Sequence, residues 1–367
     1  MTGQPRPQLH LMQLVGARPN FMKAGPLLAE LRPLSHVRTT LVHSGQHYDA
    51  DMSGRFFEEL GLPQPDINLG VAASSHAEQV GRVLIALEAV LLADRPDLLI
   101  VVGDVNSTLA GALAAVKLGI PIAHVEAGLR SGDRTMPEEI NRILTDQISD
   151  LLFTPSPDAD INLAVEGIPA GRVRLVGNIM IDTLLANLPA ARAGGALARY
   201  GVAGAPYALA TLHRPSNVDD PDQLAEIFAA FDALAADMPV LLPLHPRTRR
   251  NADAFGLSLS RATVLPPLGY HDMLALMADA ALVLTDSGGV QEETTGLGVP
   301  CMTLRENTER PITIDQGTNT LVPVRTRDAI IAAVEAALAK RGRVPDLWDG
   351  HTATRIIDDI HTWAAAR

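Results

Sequence analysis

The chain has 367 residues, 47 % of them hydrophobic and only 4 % aromatic, with one cysteine and a formal net charge of −12. This length predicts two domains with cores built from Leu, Val, Ile and Ala, as in parallel sheets covered by helices. The negative balance argues against nucleic acid or an anionic membrane as main partner. A lone Cys301 excludes an intrachain disulfide and a cysteine zinc cluster.

Short apolar runs alternate with amphipathic stretches along the whole chain. Strands are predicted at Leu9–Val15, Arg38–His43, Leu98–Val102, Ile122–Val125, Leu151–Thr154 and Val173–Val176. Helical stretches such as His76–Leu92 and Val105–Leu118 lie between them. The small, weakly patterned segment Ala191–Pro206 is read as the interdomain connection. A second series follows, with strands at Tyr207–Leu212, Val240–Leu244, Thr263–Pro266, Ala281–Thr285 and Pro300–Leu304, and helices near Asp222–Ala236, Gly289–Leu297 and Asp328–Arg341. A last helix, His351–Ala366, is expected to cross back onto the first lobe. The expected domains are 1–190, 191–350 and a C-terminal helix, 351–367. The start lacks the apolar core of a signal peptide, and no apolar run reaches the roughly 20 residues of a membrane span, so a cytoplasmic location is expected.

In open α/β sheets ligands gather at the carboxyl ends of strands. After the first strand comes Gly16-Ala-Arg-Pro-Asn-Phe-Met-Lys, where Arg18 and Lys23 add charge to a helix N-terminus. The second loop, His43-Ser-Gly-Gln-His-Tyr-Asp, reads equally well as a site or a polar turn. The densest cluster follows. Asp104 leaves a wholly apolar strand, Glu126 does the same in His124-Val-Glu-Ala-Gly-Leu-Arg-Ser-Gly-Asp, and Met136-Pro-Glu-Glu-Ile-Asn-Arg starts a helix on which Glu138 and Arg142 share a face. Clustered carboxylates are expected to raise one another's pKa and so to supply proton donors near neutrality. In the second half, His213 with Arg214, His245 with Arg247, Thr285-Asp-Ser-Gly-Gly-Val-Gln-Glu-Glu, and Arg305-Glu-Asn-Thr-Glu-Arg-Pro stand at strand ends. The two glycines before a helix suit a diphosphate, and Glu293 suits ribose hydroxyls. Asp158-Ala-Asp160 is read as helix-terminal charge rather than a metal pair.

These motifs, in this order, resemble the non-hydrolysing UDP-N-acetylglucosamine 2-epimerases over nearly the whole chain, from Gly16 to about Val324. The resemblance implies two Rossmann-like domains facing a central cleft, the GT-B type, in a homodimer without metal, nicotinamide or other cofactor. It implies inversion at C2 of a UDP-linked N-acetylglucosamine, serving polysaccharide synthesis. By the same resemblance Asp104, Glu126, Glu138 and His213 match catalytic positions. Arg18, Lys23, Arg142, Ser287, Gly288, Gly289, Glu293 and Arg310 match positions that contact the nucleotide sugar, and Gln46 and His47 match a regulatory neighbourhood. The chain also departs from the family pattern: Asn20 replaces the usual Glu of Arg-Pro-Glu, Pro215-Ser216 replace an Arg-Glu pair, and no Arg lies between Asp66 and Glu78. Altered or weak activation by substrate is therefore expected. A glycosyltransferase of the same fold, a hydrolysing epimerase, a nucleotide-sugar sensor and an epimerase for a C3- or C6-modified sugar remain open.

Overall fold

The computed structural model describes residues 9–45, 60–72 and 75–367. Its chain divides into two compact units. The first holds Met1–Thr183 and Leu347–Arg367, the second Leu184–Asp346. The division falls inside the helix Ile179–Ala193, and residues 191–206 carry the end of that helix and the short helix Ala196–Arg199 within the second unit.

The first unit is a seven-stranded sheet. Its strands are β1 (Leu9–Val15), β2 (Val37–His43), β3 (Ile67–Asn68), β4 (Leu98–Val102), β5 (Ile122–Val125), β6 (Leu151–Thr154) and β7 (Val173–Leu175), in spatial order β3-β2-β1-β4-β5-β6-β7. Every pairing is parallel. The unbroken apolar run of β4 follows from burial on both faces. Leu98, Ile100 and Val102 join a core with Leu11, Val125, Phe153 and Ile356, while Leu99 and Val101 meet Met12, Leu14, Leu87 and Ile122 on the other side. The C-terminal helix Thr352–Ala365 belongs to this unit. Asp182 caps it, accepting from the amides of Thr352 (3.2 Å) and Ala353 (2.7 Å), and Ile356 and Ile360 enter the core.

The second unit repeats the plan with six parallel strands: β8 (Ala208–Thr211), β9 (Val240–Pro243), β10 (Thr263–Leu265), β11 (Leu282–Thr285), β12 (Cys301–Thr303) and β13 (Asn319–Leu321), ordered β10-β9-β8-β11-β12-β13. In both sheets the strand order reverses beside the first strand of the series, β1 in one and β8 in the other. Loops after those strands and their neighbours therefore collect at one edge of each sheet. Among the described residues no helix is long and apolar enough to cross a membrane.

Candidate active site

In the first unit, the chain leaves β1 at Val15 and enters the helix Arg18–Leu31. Asn20 organises this turn. Its carbonyl accepts from the amides of Gly16 (3.1 Å) and Ala17 (3.0 Å), and its Nδ2 donates to the Val102 carbonyl (2.9 Å). Only an amide can do both. A glutamate here would set a carboxylate against that carbonyl, so the departure from the family pattern is a structural tie between β1 and β4. Arg18 is the first residue of the helix, and its side chain lies outside the described part.

Lys23, one turn further along, ion-pairs with the Glu126 carboxylate, both side chains being buried. Glu126 sits at φ +70°, and Leu347 is the other non-glycine residue with positive φ among the described residues. Such a backbone costs on the order of 1–3 kcal/mol and persists only where its surroundings enforce it. Here the amides of Glu126 and Ala127 both donate to the Phe153 carbonyl (3.0 Å each), which turns the chain sharply as it leaves β5. Gly103 faces the pair from the end of β4. It has φ +68°, and a Cβ there would lie 2.9 Å from Lys23 Nζ and 3.4 Å from Glu126 Oε2. Glycine at 103 thus gives the pair room and makes the turn that brings Asp104 out.

Asp104 is bound by Arg142 through an ion pair, and its carbonyl accepts from Asn141 Nδ2 (2.9 Å). Glu138 and Arg142 share a helix face but do not pair. Arg142 turns towards the strand end and takes Glu139, at 2.8 Å from Nη2 and 3.2 Å from Nε. Glu139 also accepts from the amides of Ser131 (3.0 Å) and Gly132 (2.9 Å), so it closes the loop between β5 and the helix Pro137–Ile148. Burial pushes its carboxyl up. The Ser131 amide, the Arg142 guanidinium and the Gly132 amide outweigh that and hold it below the usual carboxylate range. Glu138, in the first turn of the same helix, is half-buried and makes no side-chain hydrogen bond or ion pair among the described residues. Asp104 and Glu126 each face a cation instead of another carboxylate.

Other polar loops are structural ties in the same region. His43 Nε2 donates to the Gly16 carbonyl (3.1 Å), and Ser107 joins Ser44 (2.8 Å). Asp158 and Asp160 stand in the first turn of the helix Pro157–Val165, as read from sequence. Gln46 and His47, with the regulatory expectation, lie outside the described residues.

In the second unit, His213 follows β8 and is joined to Asp286 by Nδ1 (2.9 Å). Asp286 is fully buried at the end of β11 and gathers the amides of His213 (3.0 Å) and Arg214 (2.9 Å) and the Nδ2 of Asn217 (3.1 Å). Burial raises its carboxyl, but His213 and these amides prevail and keep it below the ordinary range. An ionised Asp286 accepts from His213 Nδ1 and so leaves Nε2 as the ring nitrogen without a proton in the neutral ring. Pro215, a departure from the family pattern, simply opens the short helix Pro215–Val218. The His245 ring lies 5.8 Å from that of His213, and its Nδ1 accepts from the Arg247 amide (3.2 Å). Burial, then the His213 and Arg247 charges, lower its pKa against the pull of Asp286. Arg247 itself pairs with Asp219 at the surface (Nε to Oδ1, 2.9 Å).

Ser287 and Gly288 form the N-terminus of the helix Gly288–Leu297. A Cβ on Gly288 would lie 2.6 Å from Arg310 Nη1, so the arginine packs against the helix end, whereas a Cβ on Gly289 meets nothing within 4 Å. Arg310 is held by Glu309 (2.6 Å) and Glu292 (2.8 Å), and Arg305 also reaches Glu309 (2.9 Å). Glu293 accepts from the Tyr270 hydroxyl (3.1 Å), and burial, with the Glu292 charge, pushes its carboxyl up to about 7 against that bond. A carboxyl raised on folding ionises first in the unfolded chain, so stability is full below the ordinary carboxylate range and falls as pH rises through about 7. Relative to Glu293→Gln, the wild type should lose on the order of 3 kcal/mol of unfolding free energy between about pH 4 and pH 8. Urea titrations of both proteins measure this, and parallel pH profiles would refute it.

Glu139, Asn141, Asp286, Tyr270 and Glu309 were not singled out in the sequence. Asp286 alone carried a signal, an acid at the end of an apolar strand, like Asp104. Among the described residues no group of three or more His, Cys, Asp or Glu side chains is placed to hold a metal ion.

Two Rossmann-like parallel sheets, each with charged groups at its strand ends, define an α/β protein of the doubly wound class. Residues 29–361 match the family model for UDP-N-acetylglucosamine 2-epimerase. The UDP-N-acetylglucosamine 2-epimerase of Methanocaldococcus jannaschii is 43 % identical over 343 residues, covering 91 % of this chain and 93 % of that protein. The UDP-2,3-diacetamido-2,3-dideoxy-D-glucuronate 2-epimerase of Pseudomonas aeruginosa is 44 % identical over 335 residues, covering 90 % and 93 %. The solved structure of the M. jannaschii enzyme in complex with UDP-GlcNAc and UDP superposes with a TM-score of 0.88 at 41 % identity, over 96 % of this chain and all of that one. The chain belongs to the UDP-N-acetylglucosamine 2-epimerase family, whose members are isomerases.

Proposed function

We propose that the protein interconverts UDP-N-acetylglucosamine and UDP-N-acetylmannosamine by eliminating UDP and adding it back. One observation carries this reading: in a chain of this family, Asp104 and Glu126 leave adjacent strands and are each held by a cation, Arg142 and Lys23. The C2 proton of the sugar has no neighbouring carbonyl to acidify it. Elimination solves this: a base takes the C2 proton, the C2–H electrons form the C1–C2 double bond, and the C1–O bond breaks with its pair leaving on UDP. The 2-acetamidoglucal then takes a proton on the opposite face of C2 as UDP oxygen bonds to C1. The reaction needs acid–base groups, for which Asp104, Glu126, Glu138 and His213 are the candidates. It also needs stabilisation of the leaving diphosphate, which Ser287, Gly288, Gly289 and Arg310 suit by their N–H groups and charge. Glu293 suits the ribose hydroxyls, and Arg18, Lys23 and Arg142 complete the nucleotide-sugar contacts. The enzyme releases neither UDP nor free sugar in net turnover, and it acts as a homodimer.

The P. aeruginosa relative favours a second reading, in which the sugar is a 2,3-diacetamido glucuronate. Parallel turnover of the two UDP-sugars, separated by chromatography, tests the choice. The first reading predicts kcat/KM at least about tenfold higher for UDP-N-acetylglucosamine, and the reverse preference would transfer the assignment.

A further inference from the structure

Three buried side-chain amides, one from each of three packed helices, run in file to the backbone of residue 104. They are Gln79 on the helix His76–Ala93, Asn106 at the start of the helix Asn106–Lys117, and Asn141 on the helix Pro137–Ile148. Asn141 Nδ2 donates to the Asp104 carbonyl (2.9 Å) and to Asn106 Oδ1 (3.2 Å). Asn106 Nδ2 donates in turn to Gln79 Oε1 (2.7 Å) and to His76 Nδ1 (3.0 Å). Both protons of each asparagine amide are thus used. A carbonyl oxygen only accepts, so the Asp104 carbonyl sets the direction of every amide in the file. That carbonyl stands one residue ahead of the helix cap Val105, and among the described residues no backbone amide reaches it. The residue before Asp104 is Gly103, at φ +68°, the residue type with the fewest backbone restraints. The peptide after Asp104 is therefore held by Asn141, not by the sheet or the helix.

We propose that Asn141, backed by Asn106 and Gln79, is a positioning residue for the Asp104 carboxylate. Consecutive residues of one helix grip residue 104 at both ends: Asn141 takes its carbonyl and Arg142 its carboxylate. An ion pair alone fixes the distance of a carboxylate from its partner and leaves the backbone behind it free to turn. The second grip removes that freedom, so the carboxylate is presented in one orientation. The file of amides orients Asn141 itself, since a flipped Asn141 would set its oxygen against both the Asp104 carbonyl and Asn106 Oδ1. Asn141 acts through Asp104, and the proposal rests on the reading of Asp104 as an acid–base group.

Steady-state kinetics with UDP-N-acetylglucosamine, on variants shown by circular dichroism to be folded, tests this. Asn141→Leu, close to asparagine in size, should lower kcat by about 10-fold to 10²-fold with KM within about twofold, since a misplacement of about 1 Å is felt mainly in the chemical step. Asn106→Ala keeps Asn141 and its bond to the carbonyl but frees the Asn141 amide to turn. It should cost about threefold to tenfold in kcat, and it carries the test if Asn141→Leu does not fold. In an Asp104→Asn background, Asn141→Leu should lower kcat by no more than about twofold further, because its effect passes through the carboxylate already removed. An amide with a merely structural role would lower stability and leave kcat unchanged. Wild-type kcat in folded Asn141→Leu or folded Asn106→Ala would overturn the proposal, and so would full additivity of the Asp104→Asn and Asn141→Leu losses. A slow Asp104→Asn beside a wild-type-rate Asn141→Leu strikes the positioning role alone. Wild-type kcat in Asp104→Asn removes Asp104 from the chemistry, and the role given to Asn141 with it.

Discussion

Glu126→Gln is expected to lower kcat by about 10²–10⁴-fold, the range associated with losing a positioned proton-transfer group. The replacement matches in size and keeps a hydrogen-bond acceptor towards Lys23, so the loss reports on charge and proton transfer more than on shape. The residue is held at φ +70° by the paired amides at the end of β5, and its carboxylate is fixed by buried Lys23. That degree of fixation at an energetic cost is typical of a side chain whose position matters. UDP affinity should change little, because the proposed contacts for the diphosphate and ribose are the Ser287 turn, Arg310 and Glu293. Steady-state kinetics with UDP titration calorimetry measures both. A loss below about tenfold would remove Glu126 from the chemistry, and circular dichroism checks that the variant is folded.

Arg142→Met is expected to destabilise the first unit by about 3–5 kcal/mol, the cost of breaking a buried ion pair from one side. Its guanidinium joins Asp104 to Glu139, and both it and Glu139 are 2 % exposed. Removing it leaves Glu139 buried with only the Ser131 and Gly132 amides. The pH dependence has a definite sign. Glu139 is held below the usual carboxylate range in the folded protein, so its contribution is complete above that range and is lost as pH falls through the lowered value. The deficit of Arg142→Met should therefore be largest near neutrality and narrow in acid. Urea unfolding at about pH 7 and pH 4 measures it. A deficit below about 1 kcal/mol, or one that widens in acid, would contradict the account.

Much of the architecture was legible because parallel strands buried on both faces leave unbroken apolar runs. The run at Leu98–Val102 and those at β1, β5 and β6 coincide with the observed strands. β3 was missed because two residues make no pattern. β13 was missed because Asn319 opens it, a residue poor in strand propensity, whose amide here is buried against Thr303, Gln291 and Thr313. At the site, the strand-end rule picked out Asp104, Glu126 and His213 from an apolar-to-polar step that any reader can count. Partner choice was not countable. The spacing of Glu138 and Arg142 allows a pair, yet Glu139 wins because the amides of Ser131 and Gly132 hold its carboxylate within reach of Arg142. Asn20 shows the converse. The sequence marked it as a lost acid, and only the three hydrogen bonds of its amide reveal what it does instead.

The central claim is that the C2 proton leaves and returns on opposite faces while UDP departs and comes back. Incubation with UDP-N-acetylglucosamine in deuterated water, followed by proton NMR, tests it most directly. The account predicts UDP-N-acetylmannosamine carrying deuterium at C2, with deuterium also appearing in recovered UDP-N-acetylglucosamine and no build-up of free sugar. Epimerised product that keeps protium at C2, or conversion without exchange into free sugar and UDP, would contradict it.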